Sequence, residues 1–173
     1  MNFNEKTVNK NYLYKGKILN LRKDDVLLPN GAPAIREIVE HSGGSCILCQ
    51  KDGAIYMVKQ FRYAYGKELW ELPAGKLNQG EDPKETALRE LEEEAGLKAQ
   101  TAELMFEVYP SPGYTDEIIR IYEAKDFVET QRHLDEDEFL TGKWIPVEEL
   151  KQMVKTGEIK DGKTLIALLA VMR

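Results

Sequence analysis

Apolar and polar positions alternate through much of the first third of the chain. The runs KILNLRKDDVLL, PAIREIVEH, SCILCQ and AIYMVKQF either change character at every second residue or stay apolar for a short stretch. These are the patterns of strands with one or both faces buried. Pro29-Asn30-Gly31 and Lys51-Asp52-Gly53 separate such runs. Asparagine, aspartate and glycine accept the backbone angles that tight hairpin turns require, so this part of the chain is expected to be mainly antiparallel β.

The period then changes. In DPKETALRELEEEAG the apolar side chains return at helical spacing. Asp82 suits the N-cap, Pro83 the first helical position, and Gly96 the C′ stop, while Glu85 can close a capping box. The spacing predicts a helix from about Pro83 to Ala95. Further on, ELMFEVYP and EIIRIYEAKDF are strands on either side of the turn-rich SPGYTDE, and FLTGKWIPV is another. VEELKQMVKTG and KTLIALLAVMR are two helices. Strands and helices mix without a βαβ repeat, which gives an α+β class or an α/β/α sandwich rather than a doubly wound sheet.

A chain of 173 residues is long enough for one well-packed core. Its formal charge of −6 argues against a broad basic surface for nucleic acid but leaves room for a local basic pocket holding a small anion. MNFNEKTVNKNYLYKG has no apolar leader core, and no stretch approaches the roughly 18 to 20 apolar residues of a membrane span. A soluble cytoplasmic protein without nucleic-acid or membrane partners is expected. Cys46 and Cys49 form a CxxC, a spacing that metal and redox sites also use. On a strand, however, residues three apart face opposite sides, so both are read as apolar filler in a reducing compartment.

On the predicted helix, Ala87, Leu88, Leu91 and Ala95 share the face that packs on the sheet. Glu90, Glu93 and Glu94 crowd an adjacent face, where their mutual repulsion near the negative helix end gains nothing for an ordinary surface helix. Either this is a solvated acidic face, or a divalent cation relieves it; oxygen-only donors suit Mg2+, with Mn2+ able to substitute. Glu85 and Glu92 point elsewhere, and Arg89 is placed to pair with Glu85 and Glu93.

The wider spacing favours the cation. Gly75, Glu81, Arg89, Glu90, Leu91, Glu93, Glu94, Gly96 and Leu97 fit G-x5-E-x7-R-E-U-x-E-E-x-G-U at every fixed position, U being bulky and aliphatic. The chain thereby resembles the Nudix hydrolases. That resemblance implies a Nudix fold, a mixed sheet between helices, preceded by a small antiparallel β lobe. The expected domains are residues 1–45, the dimer-forming N-terminal lobe, and 46–173, the hydrolase domain. It also implies that Glu90, Glu93 and Glu94 hold the metal, with Glu81 and the Ala74 carbonyl assisting and Arg89 orienting the glutamates. Water would then attack a diphosphate linkage.

Outside the box, Pro112 lies fifteen positions past Leu97, and REIVEHSGG, MVKQFRYAYGKELWELPAGK and LDEDEF extend the likeness to the ADP-ribose pyrophosphatase subgroup. The substrate it implies is ADP-ribose, cleaved to AMP and ribose 5-phosphate, in a homodimer that exchanges N-terminal β segments. The subgroup's general base sits on a later loop. In Asp135-Glu136-Asp137-Glu138 the register is ambiguous, so Glu136 and Glu138 are joint candidates, alongside Glu93 and Arg89 as catalytic-site residues. Arg36 and Arg62 match nucleotide-contacting positions, and Ser111, Gly113 and Glu117 lie where the subgroup's loop meets the terminal ribose. His41 and His133 match no catalytic position, and Trp70 and Trp144 are read as core or dimer anchors. Two other functions share these motifs: a sensor that binds ADP-ribose without cleaving it, and a hydrolase of other nucleoside-diphosphate sugars or noncanonical nucleoside triphosphates.

Overall fold

The computed structural model describes residues 2–136 and 138–172; Asp137 of the acidic run lies outside them. Two compact units emerge, one formed by the chain up to Gly43 together with Tyr109–Ile118, the other by Gly44–Val108 with the chain from Ile119 onward.

In the first unit, β1 (Lys6–Lys15), β2 (Leu19–Leu27) and β3 (Pro33–His41) form an antiparallel sheet in that order. The hairpin between β2 and β3 turns through Gly31, as its sequence predicts. β1 carries no clean alternation and is exposed along all ten residues, so periodicity gave no sign of it. Residues 109–118 run along β3: the Val39 N–H donates to Tyr114 O at 2.8 Å, and the Asp116 N–H donates to Val39 O at 3.2 Å.

The second unit begins with β4 (Gly44–Leu48), β5 (Gln50–Lys51) and β6 (Ala54–Arg62), then β7 (Lys67–Glu71) and β8 (Ala74–Lys76). α1 (Pro83–Ala95) has the predicted bounds. There follow β9 (Leu97–Val108), β10 (Ile119–Glu129), β11 (Leu140–Pro146), α2 (Val147–Lys155) and α3 (Gly162–Val171). One sheet has the order β8-β4-β10-β9 and is mixed, because β10 runs parallel to β4 while the other pairs are antiparallel. A second places β6 between β11 and β5, with β7 also paired to β6.

Alternation along β4 divides the core. Cys46 and Leu48 join Leu150, Met153, Ala167 and Leu168 of α2 and α3, whereas Ile47 and Cys49 join Ala87 and Leu91 of α1. Helices therefore cover both faces, the α/β/α arrangement expected. The two thiols fall in opposite layers, free and buried, and burial pushes each up to about 12. Trp144 is an anchor of the α1 layer, edge-on to Tyr56 at 5.3 Å and stacked on Phe127 at 5.9 Å. No helix of the described residues is long and apolar enough to cross a membrane.

Candidate active site

α1 starts where Asp82 accepts the Lys84 N–H at 2.8 Å and stops where Gly96 turns left-handed at φ 64°. Glu85 stays exposed, so the cap rests on Asp82 rather than on the reciprocal box expected. With Ala87 and Leu91 in the core, the neighbouring Glu90 and Glu94 are drawn under the helix, 5% and 2% exposed. Glu93 remains at the rim, and Glu92 turns outward to Lys98 at 3.2 Å. The three glutamates expected on one face thus divide into a buried pair and a rim residue.

Two backbone features make room for the buried pair. A Cβ on Gly75 would lie 1.7 Å from Glu90 Oε1, so the box glycine leaves the space that this carboxylate fills. One residue earlier, the Ala74 N–H donates to Glu94 Oε2 at 2.9 Å. Opposite Gly75 on β4 stands Ser45, whose buried hydroxyl has no hydrogen-bond partner among the described residues.

The loop after β10 closes the site. Thr130 donates its N–H to Gly96 O at 2.8 Å and His133 to Glu93 O at 3.1 Å, which pins the loop to the end of α1. A Cβ on Gly96 would meet Thr130 O at 2.8 Å, so this glycine is required by close approach as well as by φ. Glu138 then comes round to Glu90 and Glu94, with one carboxylate oxygen from each within 4.8 Å of the others. Glu136 sits exposed in the turn and outside this group.

Arg89 binds the outer carboxylates together. It reaches Glu81 at 2.9 Å, Glu90 at 2.8 Å and Glu93 at 2.7 Å. Glu81 replaces Glu85 as its partner, because residues 78–81 fold back so that the Asn78 N–H also donates to Glu81 at 2.9 Å. Arg89 holds the Glu81 carboxyl down to about 2. Burial, with the fields of Glu93 and Glu138 adding to it, pushes Glu90 up to about 7; burial, with Glu90 and Glu138, pushes Glu94 up to about 8. Three converging carboxylates, two of them buried against their charge, form a hard-oxygen donor set that fits a divalent cation.

Arg62 lies in the same unit, with Nε and Nη2 each 2.6 Å from a Glu71 oxygen, and its charge interacts with Glu94. Neither Glu71 nor its second partner Lys163 was identified from sequence; a charged residue closing the apolar run ELWEL was the available signal. Arg36, Ser111, Gly113 and Glu117 belong to the N-terminal unit. There Arg36 pairs with Glu5, the Ser111 carbonyl accepts the Tyr114 and Thr115 N–H groups at 3.2 Å, and Gly113 has open space around it. Glu117 lies 3.3 Å from His41 Nδ1, which accepts the Gly43 N–H, so His41 has local structural partners.

Residues 39–168 match the NUDIX domain family, and residues 5–39 match the family described as nucleoside diphosphate sugar hydrolase N-terminal domain. The chain is 43% identical to the ADP-ribose pyrophosphatase of Bacillus subtilis (strain 168), over 95% of this chain and 90% of that one. It is 41% identical to the ADP-ribose pyrophosphatase of Mycobacterium tuberculosis, covering 95% and 82%. A Bacillus methanolicus protein named methanol dehydrogenase activator is likewise 43% identical, covering 96% and 91%. A crystal structure of an ADP compounds hydrolase shares the fold with a TM-score of 0.85 at 19% identity, covering 99% of this chain and 94% of that one.

Proposed function

The chain belongs to the Nudix family and is a pyrophosphohydrolase of it, and from that premise we propose that it uses Mg2+ to hydrolyse the diphosphate linkage of ADP-ribose, giving AMP and ribose 5-phosphate. The observation that carries the chemistry is the convergence of Glu90, Glu94 and Glu138. Similarity to two ADP-ribose pyrophosphatases over most of the chain supports the substrate.

Glu90 and Glu94 would hold the cation, with Glu93, Glu81 and the Ala74 carbonyl assisting. A bound divalent ion supplies charge neutralisation at phosphoryl oxygens and a lowered pKa for coordinated water. Mn2+ offers the same hard-oxygen chemistry. Glu138 accepts the proton of the attacking water; its place in the cluster supports it over Glu136, which stands outside. Arg89 keeps Glu93 and Glu81 oriented and offsets carboxylate repulsion. Arg62, Arg36, Ser111, Gly113 and Glu117 contact the substrate, the arginines acting as donors to phosphate or as stacking planes for adenine.

The enzyme acts as a homodimer in which residues 1–45 pair with a second copy, ahead of a hydrolase domain over 46–173. The uncovered β1, with Val8 and Leu13 about 60% exposed, supports this. Two free buried thiols fit a reducing cytoplasm. The test is a substrate panel with purified protein and Mg2+. ADP-ribose is expected to give equimolar AMP and ribose 5-phosphate faster than ADP-glucose, GDP-mannose, dinucleoside polyphosphates or nucleoside triphosphates are cleaved. Pyrophosphate release from triphosphates as the dominant reaction, or binding of ADP-ribose without cleavage, would overturn it.

A further inference from the structure

A second set of charges lies beside the carboxylate cluster. Glu71 ends β7, three residues ahead of Ala74, and is only 1% exposed. Its two oxygens are taken by Arg62 at 2.6 Å each, and Lys163 Nζ reaches Oε2 at 2.6 Å from the first turn of α3. Burial raises the Glu71 carboxyl, but the two cations outweigh it and leave it below its ordinary value. Lys163 is braced in turn by Asp161 at 3.0 Å, which caps α3 by accepting the Thr164 N–H at 3.0 Å and its hydroxyl at 2.7 Å. Thr164 Oγ1 accepts the Leu72 N–H at 2.9 Å, which closes the network on the residue after Glu71.

Stability is a weak reason for such a network, since apolar residues of similar volume commonly replace buried ion pairs at no loss. Its outer end suggests another purpose. The Arg62 side chain is 39% exposed, and the bidentate pair uses Nε and Nη2, leaving Nη1 outside that contact. Its charge also interacts with Glu94. A loosely held guanidinium here would be drawn onto the cluster carboxylates, spending its donors and competing with a cation. The Glu71 fork fixes two of the guanidinium nitrogens, and a planar guanidinium held at two points has its third direction determined.

We propose that Glu71, braced by Lys163, is a positioning residue that holds Arg62 so that its Nη1 meets an anionic oxygen of the diphosphate substrate. This rests on the ADP-ribose pyrophosphatase reading and adds the residues that set its phosphate contact.

Steady-state kinetics with ADP-ribose and Mg2+ test it on wild type, Glu71→Gln, Lys163→Met, Arg62→Ala and the Glu71→Gln/Arg62→Ala double variant. Thermal midpoints are measured beside them. Loss of a charge-assisted contact corresponds to a roughly 10- to 100-fold rise in KM, expected for Glu71→Gln with kcat changed far less. Lys163→Met should raise KM in the same direction by a smaller factor, and the double variant should match Arg62→Ala alone. A merely structural role gives a lower midpoint, a lower kcat, an unchanged KM and additive effects, and would overturn the proposal. If Glu71→Gln does not fold, Lys163→Met decides, and an unchanged KM there overturns it. Wild type inactive on ADP-ribose would remove the functional reading and this assignment together, whereas an active wild type with unmoved KM values removes only the positioning role.

Discussion

On the proposed function the metal chemistry turns on Glu94, which is 2% exposed and converges with Glu90 and Glu138. Glu94→Gln removes a ligand charge without changing shape, so kcat should fall by about 100-fold or more. Above about pH 8, where the Glu94 carboxyl is ionised, the thermal midpoint of the metal-free protein should not fall, since a buried charge has been removed. Replacing Glu138 by Gln should lower kcat while sparing KM, whereas Glu136→Gln, exposed in its turn, should stay near wild type. The buried pair also sets a pH dependence. Folded Glu90 and Glu94 are raised to about 7 and about 8. The native state therefore holds more protons than the unfolded chain between the ordinary carboxylate range and those values. Their contribution to stability is fully present below the ordinary carboxylate range and is lost progressively as pH rises from there through 7 to 8. Melting curves in chelator should fall across that window, and the midpoint gain on adding Mg2+ should grow with pH; a gain that shrinks as pH rises would contradict the cation site.

At the scale of elements, the site is one helix, the turn before it and one loop after β10. Gly75→Ala forces a methyl into the space of the Glu90 carboxylate, so turnover and Mg2+ affinity should both drop, measured by kinetics and by calorimetry. Gly96→Ala meets φ 64° and the Thr130 carbonyl, costing about 1–2 kcal/mol and loosening the loop that delivers Glu138. α1 was legible to the residue because its caps, period and stop all agree in one short segment. The sorting of Glu90 and Glu94 from Glu93 was less so, as it depends on which side the sheet and Gly75 leave open. The Arg89 to Glu81 contact likewise needs a fold-back at residues 78–81 that no helical periodicity encodes.

For the whole molecule, periodicity identified the layered core, down to the opposed Cys46 and Cys49. It did not identify β1, whose lysines, asparagines and exposed tyrosines lack a buried face. Nor did it join residues 109–118 to the N-terminal unit, a link made by backbone bonds to Val39 that leave no trace in hydrophobic pattern. If β1 is covered by a second copy, light scattering should give twice the 19.8 kDa chain mass. Val8→Asp with Leu13→Asp should then shift the protein toward the monomer, by placing charges where apolar contact is expected.

The most direct test of the central claim is ADP-ribose turnover followed as Mg2+ is added to chelator-treated enzyme, with Glu94→Gln measured beside wild type. The account predicts that wild type releases AMP and ribose 5-phosphate only as the cation is restored, and that Glu94→Gln stays lower by about 100-fold or more at saturating Mg2+. Full activity in chelator, or a Glu94→Gln variant as active as wild type, would contradict it.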